Sequence, residues 1–421
     1  MIDVLGAQGD GVARAELSGK TVALYIPGAL AGERVRVRTR DKRGDGVVAE
    51  LLDILEPSPH RIQPGCPHFE RCGGCALQHL DRRIYGAWKR DRVIHALAQR
   101  GFADVCVDDA VLIGEGTRRR VTFTAHGSGK AARVGFNARA RHDVVAVAVC
   151  PLLAGPLNAL IAPLGETLAS VLKDGQRARV AATACDNGVD LLIEADGSPD
   201  LAAREALAAL VRAGHAVRVA WRADTLAPEP IVQEQPPRID LSGVAVELPP
   251  GAFLQASREG EHAIRDRILD WVDGAGRVAD LFCGLGSFTM PLAAKAVVSA
   301  WDVTEPSVRA LERAAGRAGL GGRVAAGVRD LDRQPLEARD LDAFDAIVFD
   351  PPRAGAKAQA EHLADARAER IVGVSCNPAT FARDARILAG GGYALDRVTP
   401  IDQFTHSAHV ELAAAFTRTR A

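Results

Sequence analysis

Val and Arg alternate through Arg34, Val35, Arg36, Val37 and Arg38. A period of two predicts a strand with one apolar and one basic face. Short apolar stretches surround it, TVALYIPG before and GDGVVAELLDIL after, and glycine turn signals in LGAQGDGVARA lead into them, so the first 57 residues read as a small all-β unit. Pro57, Pro59 and Pro64 then break the pattern. LDRRIYGAWKRDRVIHALAQRG predicts a long helix, and residues 151–235 alternate helical and strand patterns, with LLIEADG as a strand end. The proline-rich run APEPIVQEQPPRI predicts a boundary. Beyond residue 240, RVADLF, VVSAWDV, FDAIVFD and RIVGVSC are strand patterns, with helices after the first two. That order predicts a doubly wound, mostly parallel, Rossmann-like sheet. The expected fold is multidomain α/β, divided at 1–57, 58–238 and 239–421.

A chain of 421 residues is long enough for two or three cores. Its 48% hydrophobic and 25% charged residues are those of an ordinary globular protein. With no bilayer-length apolar stretch and no signal-peptide pattern at MIDVLGAQGDG, a cytoplasmic protein with no membrane partner is expected. The net charge of −1 hides a division: residues 1–150 hold 23 Lys+Arg against 17 Asp+Glu, the remainder 29 against 36. A basic front half suits a polyanion, although the preference for Arg over Lys also fits a bias in base composition. On this reading the first unit is an OB-like barrel whose basic face, with Arg34 and Arg36, meets RNA backbone.

Cys66, Cys72 and Cys75 form C-x5-C-x2-C, and Cys150, in the Cys-Pro context of VAVCPLL, is the best fourth ligand. Four thiolates hold either zinc or an iron–sulfur cluster, and spacing alone leaves both open. The central region is thus an α+β domain with a metal cluster. The spacing differs from the C-x3-C-x2-C of radical enzymes that cleave S-adenosylmethionine. Cys106 and Cys185 stand alone and read as packing or surface residues.

DLFCGLGSFTMPLA, residues 280–293, is a strand, a glycine turn and a helix. Gly284 and Gly286 permit close backbone approach, Asp280 leads the turn, and Asp302 at the next strand end suits ribose hydroxyls. These features favour an adenosyl cofactor. Asp350 ends a strand before the rigid Pro351–Pro352, with Arg353 where amino-methylating enzymes carry an aromatic. Cys376 ends the following strand, a place for a nucleophile. Glu411 precedes an apolar strand, a costly place for an idle carboxylate, and ranks above His406 and His409.

GDGVAR, the four cysteines, FLQAS, DLFCGLGSFT, DPPRAG, SCNPAT and HVE together resemble the RNA uridine-5-methyltransferase family. The likeness is to its ribosomal-RNA branch, which carries a TRAM domain and an iron–sulfur cluster, and it spans nearly the whole chain. It implies Cys376 as nucleophile and Glu411 as base, with S-adenosylmethionine bound by Gln255, Phe282, Asp302 and Asp350 in a C-terminal methyltransferase domain. It implies a [4Fe–4S] cluster on Cys66, Cys72, Cys75 and Cys150, RNA contacts from Arg118, Arg119 and Arg120, and action as a monomer on 23S rRNA, with transfer RNA as the alternative. Ser257, Ser287 and Asp302 depart from residues common in the family, without touching Cys376 or Glu411.

The implied chemistry explains the constellation. Uracil C5 is a poor nucleophile until a thiolate adds at C6. C5 then attacks the methyl group, and a base must remove the C5 proton before the thiol leaves. That requires a thiolate and a carboxylate on one crevice. A catalytically silent RNA-binding protein, or methylation of cytosine C5, are the competing readings.

Overall fold

The computed structural model describes residues 1–17, 19–44, 46–139, 141–223, 225–419. The first five strands, Val4–Leu5, Gly11–Leu17, Lys20–Ile26, Arg34–Arg43 and Gly46–Glu56, form one sheet in which the fifth lies between the third and the fourth. The alternation at Arg34–Arg38 is realised: the arginines are exposed and Val35 and Val37 turn toward the core. The basic face is not bare, however. Arg34, Arg36 and Arg38 lie opposite Glu56, Asp53 and Glu50 on the neighbouring strand, with closest approaches of 2.9, 4.0 and 3.8 Å. Exposed pairs of this kind add little stability but reduce the net charge a polyanion would meet.

The central sheet runs in the spatial order Val144–Ala146, Ala131–Asn137, Arg120–Ser128, Arg177–Cys185, Gly188–Ala195, Arg218–Arg222, Glu229–Gln233. Helices Gly155–Val171 and Leu201–Arg212 supply Leu157, Leu160, Leu164, Leu207 and Leu210 to its buried face, against Phe123, Val180, Leu191 and Val219. The proline-rich run expected to mark a boundary contains the edge strand Glu229–Gln233. Pro230 lies at an irregularity in the ladder opposite Ala220, where a missing N–H costs least.

The C-terminal sheet is doubly wound, as the strand–helix alternation predicts. Its order is Val324–Val328, Val297–Asp302, Arg277–Leu281, Ala346–Phe349, Arg370–Ser375, Glu411–Arg418, Tyr393–Asp402. The first five are parallel, and Glu411–Arg418 runs antiparallel to both its neighbours. Both faces are buried, so successive residues feed opposite cores. Ile347, Ile371 and Leu412 pack with Phe381, Leu388 and Phe416, whereas Val348, Val372 and Ala413 pack with Ile264, Ile268 and Leu292. This is why the strands read as unbroken apolar runs rather than alternating ones.

The sheet also recruits chain from well before residue 239. Cys106–Val107 and Val111–Leu112 pair with Tyr393–Asp402. The long helix, Arg82–Ala98, is capped by Asp81, whose carboxylate accepts from Arg83 N at 2.8 Å, and it places Val93 and Leu97 in the same core as Phe381. In space, residues 82–112 therefore belong with the C-terminal sheet. No helix among the described residues is long and apolar enough to cross a membrane.

Candidate active site

The strand Arg277–Leu281 ends in a turn with an unusual backbone. Phe282, Gly284 and Gly286 have φ of 64°, 54° and 89°. The left-handed value is ordinary for glycine and strained for Phe282. A Cβ on Gly284 would meet nothing within 4 Å, so open space adjoins this backbone, as a bound ligand requires. On Gly286 a Cβ would lie 2.4 Å from Leu311 Cδ1. Gly286→Ala is therefore expected to destabilise the fold by about 2 kcal/mol or more, readable in denaturant unfolding, whereas Gly284→Ala meets only backbone strain. Asp302 braces the turn: its Oδ2 accepts from Gly284 N at 3.0 Å and its Oδ1 from Thr304 N at 2.7 Å. Asp280 is buried; its Oδ2 accepts from Thr289 Oγ1 at 2.5 Å while Oδ1 has no partner, and burial pushes its carboxyl up to about 7. Cys283 is buried and its thiol is raised by that burial, which makes it an inert packing group.

Asp350, Cys376 and Glu411 come together at the carboxyl edge of the sheet. Asp350 follows the strand Ala346–Phe349, and its N–H donates to Leu281 O at 3.2 Å. Cys376 is the first residue beyond Arg370–Ser375. Ser375 pairs with Leu412 at the end of the antiparallel ladder, which brings Cys376, just beyond it, to the same end as Glu411, the first residue of its strand. Asn377 caps the helix Pro378–Gly390 that begins immediately after Cys376, accepting from Ala379 N at 3.1 Å. Asn377 Nδ2 and Thr380 Oγ1 both donate to Arg353 O at 3.3 Å, stitching the Asp350–Arg353 loop to this helix start.

The electrostatics are those of a desolvated acidic crevice. Burial, then Glu411 and Asp350, push the Cys376 thiol up to about 11, with Arg353 pulling the other way. Glu411 is 3% exposed, and burial raises its carboxyl to about 7 against the hydrogen bond from Gln403. Asp350 is raised well above the usual carboxylate range by burial, Glu411 and Asp280. Of the two carboxyls, Glu411 is the one poised to exchange a proton near neutrality.

Gln255 joins this group from the segment that precedes the helix Arg258–Trp271, donating from Nε2 to Asp350 Oδ2 at 3.0 Å. Its partner Gln403 escapes the sequence reading altogether. Gln403 Nε2 donates to Gln255 Oε1 and to Glu411 Oε2, each at 2.8 Å. The sequence marks it only as an amide between Asp402 and Phe404, eight positions before Glu411.

Two outlying segments hold the loop that delivers Glu411. Helix Arg82–Ala98 presents Tyr85, Lys89 and Arg92 to the carbonyls of Ser407, His409 and Ala408. Lys89, fully buried, also pairs with Asp402 at 2.7 Å. The second is the cysteine loop, where Ala76 and Leu77 N–H groups donate to His406 O at 2.8 and 3.0 Å. His406 itself faces Glu115 at 2.7 Å, and His409 is exposed.

The Arg118–Arg120 triplet, expected to touch RNA, is spent on packing. Arg119 is 5% exposed; its guanidinium pairs with Glu261 at 2.5 Å and donates to Gln255 O at 3.0 Å. It bolts the central strand to the Gln255 segment. Arg118 stacks over Phe404 at 5.6 Å and Arg120 over Phe253 at 4.6 Å, with Arg120 also donating to Leu254 O.

Cys66, Cys72, Cys75 and Cys150 line one cavity of about 280 Å³, together with Phe69, Gln78 and Arg118. Cys150 lies in a loop past the strand Val144–Ala146 rather than at its end, pinned by Asn158, which accepts from Cys150 N at 2.8 Å and donates to Cys150 O at 3.0 Å. Arg139 ties together the loop that carries the other three, donating to the carbonyls of Phe69, Cys72 and Cys75 while lying 4.5 Å from the Phe69 ring. Burial, and then its thiol neighbours, raise Cys75 to about 12 despite a bond to Gln78. Among the described residues no three His, Cys, Asp or Glu converge as a site for a metal ion; these thiols surround a space instead.

A parallel doubly wound sheet with a glycine turn on its first strand and a thiol facing a carboxylate on its carboxyl edge defines an α/β enzyme of the nucleotide-cofactor class. Comparison with known proteins narrows this. Residues 322–419 match the family model described as tRNA (uracil-5-)-methyltransferase. An uncharacterized RNA methyltransferase of Brucella melitensis is 41% identical over 99% of this chain and 97% of its own. The 23S rRNA (uracil(1939)-C(5))-methyltransferase RlmD of Aeromonas hydrophila is 32% identical over 94% of this chain and 91% of its own. The crystal structure of the Pyrococcus abyssi tRNA (uracil-54, C5)-methyltransferase in complex with S-adenosyl-L-homocysteine superposes with a TM-score of 0.77 at 23% identity, covering 99% of both chains. The chain belongs to the RNA (uracil-5-)-methyltransferase family.

Proposed function

We propose that the protein methylates C5 of a uridine in 23S ribosomal RNA, with Cys376 as covalent nucleophile and Glu411 as the base. The observation that carries this reading is that Cys376 and Glu411 each adjoin the last pair of one antiparallel ladder, Ser375 with Leu412, with Glu411 acting on the Cys376 thiol. The half-buried Cys376 thiol gives its proton to solvent, the thiolate Sγ bonds to C6, the C5=C6 electrons shift into the enolate, and C5 becomes nucleophilic. S-adenosylmethionine supplies the electrophilic methyl group. Glu411 then takes the C5 proton, the C5=C6 bond reforms, and the C6–S bond breaks to restore Cys376. The target base must leave its stack to reach both groups.

The residues fit the cofactor. Open space beside Gly284, the Asp302 brace and the unpartnered Asp280 Oδ1 suit an adenosyl group with polar substituents. Gln255, Phe282, Gly286 and Asp350 complete its proposed surroundings. Four thiols around one cavity fit a [4Fe–4S] cluster better than a single zinc ion, since a cluster needs ligands spaced about it. Through the bonds from Ala76 and Leu77 to His406, that loop would steady the approach to Glu411. The N-terminal five-stranded sheet, with its OB-type strand order, is assigned as a TRAM domain that grips RNA through Arg34, Arg36 and their neighbours, and the front of the chain as the main RNA-facing region. Ribosomal rather than transfer RNA is favoured by the relation to RlmD along 94% of the chain. A reaction in the cytoplasm, by a monomer, completes the reading.

Incubation with labelled S-adenosylmethionine and unmodified 23S rRNA or transfer RNA, followed by nucleoside analysis, tests it. Label in 5-methyluridine from 23S rRNA is expected. Label in 5-methylcytosine, or in transfer RNA alone, would overturn the assignment of base or substrate.

A further inference from the structure

Gln403 is buried and held in one orientation. Its Oε1 accepts from Ala256 N at 3.0 Å, and a backbone N–H can only donate, so Nε2 must be the donor facing Gln255 and Glu411. The direction then propagates: Gln255 Oε1 accepts from Gln403, which turns Gln255 Nε2 toward Asp350 Oδ2 at 3.0 Å. Tight packing fixes the side chain as well. A Cβ on Gly260 would lie 2.7 Å from Gln403 Cβ, so only glycine fits at this turn of the helix capped by Ser257. A chain of hydrogen bonds, polarised by the Ala256 amide, thus joins the two carboxyls at the site.

We propose that Gln403 is a positioning residue for the release step: by occupying Glu411 Oε2 it assigns the C5 proton to Oε1, and through Gln255 it ties this base to Asp350. The inference rests on Glu411 being the proton-abstracting base. A carboxylate free to rotate among several orientations would present its acceptor oxygen to C5 only part of the time. A donor on Oε2 also stabilises the carboxylate over the acid, which offsets part of what burial does to Glu411. The other titratable groups at this edge are Asp350 and Cys376, with Asp280 behind Asp350 and Arg353 beside Cys376. None of these donates a hydrogen bond to Glu411, so Gln403 has no substitute.

Gln403→Met keeps the volume and removes both donors. With the full-length enzyme and its RNA, kcat is expected to fall about 30-fold, the worth of one hydrogen bond to a charged group. KM for RNA stays unchanged. A denaturation-resistant enzyme–RNA adduct carrying the transferred methyl accumulates, and the acid limb of the rate profile moves to higher pH. Gln403→Glu, isosteric but placing a second carboxyl against Glu411, is slower still. Both variants lose buried hydrogen bonds and unfold cooperatively at lower midpoints, so rates are compared well below them. Wild-type turnover in Gln403→Met, or a loss that falls on RNA KM or on adduct formation, overturns the proposal. A wild-type enzyme that methylates uridine RNA yet forms no adduct on 5-fluorouridine RNA overturns the reading of Cys376 and Glu411 first, a result distinct from any confined to the variants.

Discussion

Cys376→Ala is expected to abolish methyl transfer, by about 10⁴-fold or more, with the fold intact. The magnitude follows from the chemistry. Without addition at C6 the C5 carbon keeps its low electron density, and no rearrangement of Glu411 or Asp350 makes it a nucleophile. A serine in the same place fares little better, because its hydroxyl is a far weaker nucleophile than a thiolate. The side chain is only half-buried at the head of a helix capped by Asn377, so the substitution removes little packing. RNA containing 5-fluorouridine gives the direct readout: fluorine at C5 cannot leave as a proton, so the methylated adduct persists through denaturing electrophoresis. Wild-type protein should form it, and Cys376→Ser should not. The rival is Cys283 at the glycine turn, which is buried and inaccessible where Cys376 is half-exposed. An adduct of equal yield in Cys376→Ser would place the nucleophile elsewhere and end the proposed mechanism.

The residues most readable from sequence were those whose role is local. Strands buried on both faces give continuous apolar runs, so AIVF and RIVGV were identifiable before any coordinates. Asp350 and Cys376 stand at the ends of such runs, and that position marks a residue facing the crevice. Gln403 carries no comparable mark. Its partner Gln255 is 148 positions away, and a buried amide reads like any polar residue until the fold supplies its acceptor. The environment of Arg118–Arg120 is equally invisible to a family resemblance that implies RNA contacts there. Three adjacent arginines resemble a charged patch, but the side chains on successive residues leave in different directions, and Glu261 from another part of the chain claims Arg119. Chain order likewise assigned helix Arg82–Ala98 to the cysteine-rich region, whereas Val93 and Leu97 complete a core built mostly from residues beyond 270. Pro228, Pro230, Pro236 and Pro237 read as a boundary because a missing N–H forbids a central strand; an edge position with an irregular ladder lets a strand form among them.

Glu411→Gln should separate the two halves of the reaction. The amide matches the carboxylate in size, so Gln403 and the surrounding ladder can remain in place, but it cannot take a proton from C5. Addition of Cys376 at C6 and capture of the methyl group precede that need and should proceed. The enzyme is therefore expected to complete about one methyl transfer and then stall as a methylated covalent complex on ordinary uridine RNA, with turnover about 10³-fold slower. Asp350 cannot stand in. Burial and its carboxyl neighbours hold it protonated well above the usual range, and Gln255 already donates to its Oδ2. In the wild type the same logic sets the pH response. Glu411 must be a carboxylate to act, and with its carboxyl raised to about 7 the release rate should fall as pH drops below neutrality and level off above it. In Glu411→Gln that limb disappears. Rapid-quench assays with labelled S-adenosylmethionine decide the matter: label held in a protein–RNA complex places Glu411 after methyl transfer, whereas loss of both complex and methylated RNA would place it before, as part of thiol activation.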